Sequence, residues 1–249
     1  MIATGRGQNL TYSIAEDLGV AIVTGTYSVT NPFPVEAELC KQYGVSRSIL
    51  REAVKMLTAK GLLGSRPRRG TWVQEEDKWN LLDPDVLRWI LERKFSFSLL
   101  IEFTQVRLAI EPKAAALAAE MADRSERASI AAAIKAMIES ERLQDDPLEP
   151  DIAFHVAILR ASHNGFYSRL SELIEAALRF SIRMTNRQRG TRSVDEHKKV
   201  ADAIIAGDSR KAEVTMQALI LDALAQIRKA ELSATPRERV RAGSRGALR

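Results

Sequence analysis

Between Pro34 and Gly61 the chain reads PVEAELCKQYGVSRSILREAVKMLTAKG, and no other stretch restricts the fold as tightly. Pro34 has a fixed φ suited to opening a helix over residues 35–43, with Ala37, Leu39 and Cys40 as its apolar positions. Gly44 supplies a tight turn, and Ser46 is a good N-cap for a further helix that runs to about Lys60 and stops at Gly61. The inner face of that helix is Ile49, Leu50, Ala53, Val54 and Leu57. An earlier pattern over residues 10–23 repeats Leu10, Ile14, Leu18, Ala21 and Ile22 at helical spacing, with Gly25 as its stop. Helix, short turn, helix is the outline of a helix-turn-helix, whose second helix enters the major groove of DNA.

Charge follows the same boundary. Residues 41–70 carry eight cations against Glu52, or +7, although the whole chain is only +5. The last eighteen residues contribute five arginines against Glu238, or +4, which leaves about −6 for the rest. A polyanion partner for one segment fits this polarisation, as does a merely well-solvated face. Placement favours the first. Arg47, Arg51 and Lys55 form one row at i, i+4 and i+8, and Ser46, Arg47 and Ser48 occupy the first helical turn. Arginine can fork onto guanine, while hydroxyls and a helix N-terminus hold phosphate. The following LLGSRPRRGTWVQ places Leu62 and Leu63 opposite Trp72 and Val73 as two short strands. Its arginine-rich turn makes a wing able to probe the adjacent backbone or minor groove.

PVEAELCKQYGVSRSILREAVKMLTAKGLL together with RRGTWV resembles the GntR superfamily of bacterial transcription regulators. The resemblance implies DNA contacts from Arg47 and Arg51, supported by Ser46, Ser48 and the wing tip Arg68, Arg69 and Gly70. Val35 stands where the family usually has the N-capping serine, and Ala37 where many relatives carry a DNA-contacting arginine.

Beyond this first domain (residues 1–74), the polar stretch 75–80 reads as a linker. Residues 81–231 then show no convincing strand pattern. Asp83-Pro84 launches a short helix, and further helical patterns cover 97–121, 125–142, 150–164, 166–185, 194–206 and 209–229. The expected fold class is mainly α: a winged helix-turn-helix followed by an all-helical bundle, with a basic, disordered tail over 232–249. One cysteine, Cys40, excludes an intramolecular disulfide framework. No signal-peptide core or long apolar run appears, so the expected location is the cytoplasm, with no membrane partner.

The helical region, with its Asp-x-x-x-His helix and later Glu-His pair, resembles the FCD branch of the GntR superfamily. That resemblance implies an effector domain that forms homodimers and holds a divalent metal beside a carboxylate ligand. Within the branch the chain is similar to regulators of D-galactonate catabolism, through WNLLDPDVLRWILE, VRLAIEP and DEHKKVADAI.

Asp151 and His155 lie about 40° apart around their helix and about 6 Å apart along it. Spacing alone leaves open a surface ion pair worth a few tenths of a kcal/mol. With His197, the resemblance makes Asp151 and His155 ligands of a divalent ion, zinc being one candidate. The family's further histidine is replaced by Leu219, and Asp222, one turn on, is a weak substitute. His163, beside Asn164-Gly165, reads instead as a charge at a helix C-terminus. Arg107 is the candidate for an effector carboxylate, although an i, i+4 pair with Glu111 fits its spacing equally. Arg179, Arg183 and Asn186 are candidates for effector hydroxyls, or face water.

The expected function is a dimeric, non-enzymatic repressor of sugar-acid catabolic genes, bound to an inverted-repeat operator and released by a small carboxylate such as D-galactonate. One rival keeps the DNA-binding role with a dicarboxylate or acyl-CoA effector. A metal-dependent hydrolase is more remote: no H-E-x-x-H, nucleophile elbow or phosphate-binding loop is present.

Overall fold

The computed structural model describes residues 4–66, 70–93, 96–185 and 192–233, which divide into two compact units between Phe95 and Ser96. The wing tip with Arg68 and Arg69, Asn186, and the tail from residue 234 lie outside the described residues.

The first unit contains α1 (Thr4–Val23), α2 (Glu36–Tyr43), α3 (Arg47–Ala59), a hairpin of β1 (Leu63–Arg66) and β2 (Gly70–Val73), and α4 (Pro84–Arg93). Gly44 ends α2 at φ +64°, a left-handed conformation that glycine adopts without strain, and its N–H donates to the Cys40 carbonyl. Ser46 caps α3 as its sequence suggests, accepting from the Ile49 N–H. Val35 gives α2 no side-chain cap. Leu50, Ala53 and Leu57 form the buried face of α3, beside the buried Ile14, Leu18 and Ile22 of α1. Each fully buried Leu or Ile contributes about 1.5–3 kcal/mol. In the antiparallel hairpin Leu63 pairs with Val73 and Ser65 with Thr71, the register expected for a wing.

α4 belongs to this unit rather than to the helical domain that the polar linker suggested. The cause is contact made far along the chain. Gly19 of α1 leaves room for the Trp89 ring, which would lie 2.4 Å from an added Cβ. Lys60 Nζ donates to both Asp83 oxygens at 2.8 Å and to Asp85 at 2.9 Å. Arg88 makes a two-pronged pair with Glu16 at 2.8 and 2.7 Å. Arg88 thereby ties α4 to α1, and Lys60 ties it to the end of α3.

The second unit packs α5 (Phe97–Met121), α6 (Arg124–Leu143), α7 (Leu148–Ala161), the short α8 (Gly165–Arg169), α9 (Ser171–Thr185), α10 (Arg192–Ala206) and α11 (Ser209–Ser233). Sequence periodicity suggested one helix over 166–185; a break at Leu170 makes it two, with Asn164 capping α8 through bonds from the Phe166 and Tyr167 N–H groups. α5 is the central element, in contact with α7, α9, α10 and α11. Its alanines at 114, 115, 118 and 119 are buried, and such small side chains permit close helix approach. α6 starts with a capping box: Asp123 accepts from the Glu126 N–H, and Glu126 accepts from the Asp123 N–H. α7 is buried along most of its length, including its polar Asp151 and His155.

Candidate functional site

Two groups of candidate residues stand out, one in each unit. In the first, Ser46, Arg47, Ser48 and Arg51 are all exposed along one side of α3, and Lys55 extends the row. The Ser46 and Ser48 hydroxyls lie 2.9 Å apart at the helix start. Glu36 of α2 accepts from Arg51 Nε at 3.0 Å and lies 3.9 Å from Arg47 Nε, which raises the Arg51 pKa. Lys55 pairs with Glu52 at 2.7 Å. Gly70, at φ +80°, opens β2 next to the wing tip. Lys60, counted with the basic segment, is instead largely buried against Asp83 and Asp85. Net charge does not distinguish such a structural lysine from a DNA-facing one.

In the second unit, Asp151 and His155 of α7 meet His197 of α10, all nearly fully buried. One Asp151 oxygen lies 3.3 Å from His155 Nε2 and 3.5 Å from His197 Nε2. Ion bonds of about 2.0–2.2 Å place neighbouring tetrahedral donors about 3.4 Å apart, so the spacing fits a metal such as zinc. Phe154 meets both imidazoles edge-on, at ring distances of 5.4 and 5.2 Å.

Behind the histidine stands Glu111 of α5, which accepts from His155 Nδ1 at 2.6 Å and from Arg107 Nε at 2.5 Å. This fixes the imidazole so that Nε2 is the atom turned toward Asp151, an orientation metal-binding histidines commonly receive from a carboxylate. Burial opposes ionisation of Glu111, but Arg107 and His155 outweigh it and hold the carboxyl at about 2. Burial likewise opposes the Asp151 charge, yet the field of His197 and bonds from both histidines keep its pKa well below the ordinary range. His155 is disfavoured as a cation by burial and favoured by Glu111 and Asp151, with a net upward shift.

Arg107 makes the i, i+4 pair that its spacing allowed. It pairs with Glu111, and its Nη2 lies 3.4–3.5 Å from both nitrogens of His155, inside the same cavity. That cavity also includes Leu178, Ser181, Leu219, Ile220 and Ala223, and at about 10 Å³ it admits one water-sized sphere. Leu219 occupies the wall at the position where the resemblance implies a further histidine. Asp222 is exposed, accepts from Gln226 Nε2 at 2.6 Å and is not part of the cluster. Arg179 is held by Glu149 and by Glu175, the latter at 2.8 Å, and does not line the cavity. The Arg183 side chain lies outside the described residues. His163 follows the end of α7 at φ +50° and bonds Glu126 of α6 at 2.8 Å, so it joins two helices and not the metal-type cluster.

Glu111 was visible in sequence only as the i+4 partner of Arg107. Its contact with His155 spans 44 residues, and no local pattern signals it. Glu36 was similarly hidden, because its partners belong to the next helix.

A winged helix-turn-helix with a basic reading helix, followed by a helical domain with a buried Asp-His-His cluster, defines a two-part, DNA-binding transcription regulator. Residues 10–73 match the bacterial regulatory proteins of the gntR family, and residues 102–222 match the FCD domain. The chain is 34% identical to the galactonate operon transcriptional repressor of Escherichia coli K12 over 224 residues, covering 89% of this chain and 98% of the relative. It is also 34% identical to the uncharacterized HTH-type regulator YieP of the same organism, over 86% of this chain and 93% of the relative. A solved GntR protein of Streptococcus agalactiae shares the fold at a TM-score of 0.50 and 22% identity, covering 86% of this chain and 99% of that one. The chain belongs to the GntR family, in its FCD-containing branch. Among the described residues no helix is long and apolar enough to cross a membrane.

Proposed function

We propose that the protein is a homodimeric repressor of sugar-acid catabolic genes that binds an inverted-repeat operator and is released by a small hydroxy acid of the D-galactonate type. The observation that carries this reading is the buried Asp151–His155–His197 cluster, backed by Glu111 and sharing its cavity with Arg107. In it the three residues hold one divalent ion, with zinc the best match to the donor set. The ion supplies a Lewis-acid anchor for effector oxygens, and three protein ligands leave positions for them. Arg107 Nε and Nη2 are committed to Glu111, which leaves Nη1 for the effector's carboxylate.

A cavity of about 10 Å³ holds a single small sphere, whereas ligand pockets typically have several hundred Å³. A hydrophilic acid must therefore open the wall made by α9 and α11. Effector binding is coupled to movement for that reason, and a ligand that binds the opened form better shifts the population toward it. Two winged domains grip a palindrome only when their half-site spacing is right, so a modest rearrangement between protomers releases DNA. At the operator, Ser46, Arg47, Ser48 and Arg51 read or anchor the major-groove side, and the wing beside Gly70, with Arg68 and Arg69, reaches the neighbouring groove. Similarity to the galactonate operon repressor supports the choice of effector class.

Thermal unfolding against a panel of sugar acids, dicarboxylates and acyl-CoA, with and without EDTA, tests the proposal. Stabilisation by a sugar acid that disappears with chelator is expected. Chelator-indifferent stabilisation, or a response to acyl-CoA alone, would overturn it.

A further inference from the structure

Every cation of the α3 row has an acidic partner. Glu36 serves Arg51 at 3.0 Å and Arg47 at 3.9 Å, and Glu52 serves Lys55 at 2.7 Å. These pairs differ in kind. Glu52 and Lys55 are neighbours on one helix, whereas Glu36 reaches across from the first turn of α2 to the two arginines nearest the start of α3. Glu36 stands in the first turn of α2, where the helix dipole favours a carboxylate and Val35 provides no side-chain cap. The next residue, Ala37, is exposed and adds no charge to the face.

An acid fixed between two reading arginines has a definite effect on DNA binding. Non-specific association comes from cations neutralising phosphates and releasing counterions. Arg47 and Arg51 must leave Glu36 to do that, and a phosphate offers each guanidinium little that the carboxylate did not. A guanine edge offers O6 and N7 together, so a guanidinium that reaches it gains base discrimination that a phosphate contact cannot give. We propose that Glu36 is a specificity-determining residue: it holds Arg47 and Arg51 away from phosphates, so that only the correct base edges recruit them. The inference rests on the reading of α3 as the groove-entering helix.

The test uses the full chain and two duplexes, one selected by the wild-type protein from a random library and one of random sequence. Binding of each is followed by fluorescence anisotropy between 50 and 200 mM salt. Glu36→Gln keeps the side chain's size and removes its charge. It is expected to bind random duplex several-fold tighter, with a salt slope steeper by about 0.9 for each additional phosphate neutralised. The selected duplex should gain less, so that the specific to non-specific ratio falls at least three-fold. A ratio that is unchanged or higher, or random-duplex binding that is unchanged or weaker, overturns the inference. Arg51→Ala separates the two levels of the argument. If it leaves affinity for the selected duplex intact, the placement of α3 fails; if it weakens that affinity while Glu36→Gln leaves the ratio unchanged, the role of Glu36 alone fails. Glu36 is partly exposed, and matching unfolding curves for the variants confirm that differences in binding are not differences in folding.

Discussion

Replacing Glu111 by glutamine tests the electrostatic design of the helical domain. The side chain is 1% exposed and holds two partners, Arg107 and His155, so the substitution keeps shape while removing the charge that both face. Lowering its pKa from the ordinary 4.5 to about 2, at 1.36 kcal/mol per pH unit, corresponds to on the order of 3 kcal/mol in favour of the ionised form. Breaking a buried ion pair by removing one partner gives a similar figure, about 3–5 kcal/mol. For a domain of this size a loss of about 3 kcal/mol lowers the midpoint by roughly 6–12 °C. Calorimetry at pH 7 in EDTA, where no metal contributes, reads this directly on the second unit's transition. The sign with pH is fixed as well. A carboxyl with a depressed folded pKa stabilises above its unfolded pKa, and this contribution is lost as pH falls through the folded value, so the difference between wild type and variant narrows below pH 4.5. Zinc affinity should also fall about 10–100-fold, because the ligand His155 loses its orienting anion. A variant that melts within 1–2 °C of wild type and binds zinc equally would refute the assignment of Glu111 as the group organising both Arg107 and His155.

Other expectations follow from the same contacts. Lys60→Met removes the ammonium that Asp83 and Asp85 share and leaves Asp85 only Arg88 and Tyr12, so the first unit should lose about 1–3 kcal/mol, seen as an earlier calorimetric transition with the second unit unaffected. Burial opposes the charges of Glu16 and Asp85, but bonds from Arg88 and Lys60 depress their pKa values, so that unit's stability is present above the ordinary carboxylate range and lost as acid protonates them, measurable by melts from pH 7 to 3. Leu219→His exchanges a buried apolar contact for an imidazole in the cavity wall, with an expected loss of at least about 2 kcal/mol in EDTA. In zinc the same variant should bind the ion more tightly than wild type in a chelator-competition titration, because a fourth donor becomes available. Arg47→Ala and Arg51→Ala should each weaken a selected operator by about 1–3 kcal/mol and relax base preference at one position, read by repeating the library selection.

Much of this architecture was legible because its determinants are local. Pro34, Gly44, Ser46 and Gly61 punctuate α2, α3 and the hairpin in the order found, and the spacing of Leu50, Ala53 and Leu57 selects the buried face of α3. The Asp151–His155 spacing showed that the two residues share one side of a helix, but only packing reveals that this side is buried and faces His197. What was hidden depends on contacts distant in sequence. Residues 75–80 read as a boundary because they are polar, while α4 is retained by Lys60, Arg88 and Trp89 through partners in α1, at the end of α3 and at its own start. Charge likewise does not tell where an arginine is placed: Arg107 sits with the histidines, whereas Arg179 is engaged by Glu149 and Glu175. α1 begins at Thr4 and not near Leu10, since its first residues carry no apolar repeat to mark them.

The central claim is that Asp151, His155 and His197 form one metal site that receives a small acid. Anomalous diffraction at the zinc edge, from crystals grown with zinc and D-galactonate, tests it most directly. The account expects a single strong peak bonded to His155 Nε2, His197 Nε2 and the Asp151 carboxylate, with oxygens of the acid completing the ion's shell and its carboxylate at Arg107. A cluster closed on its own hydrogen bonds in the presence of zinc, with no peak between the three residues, would contradict it.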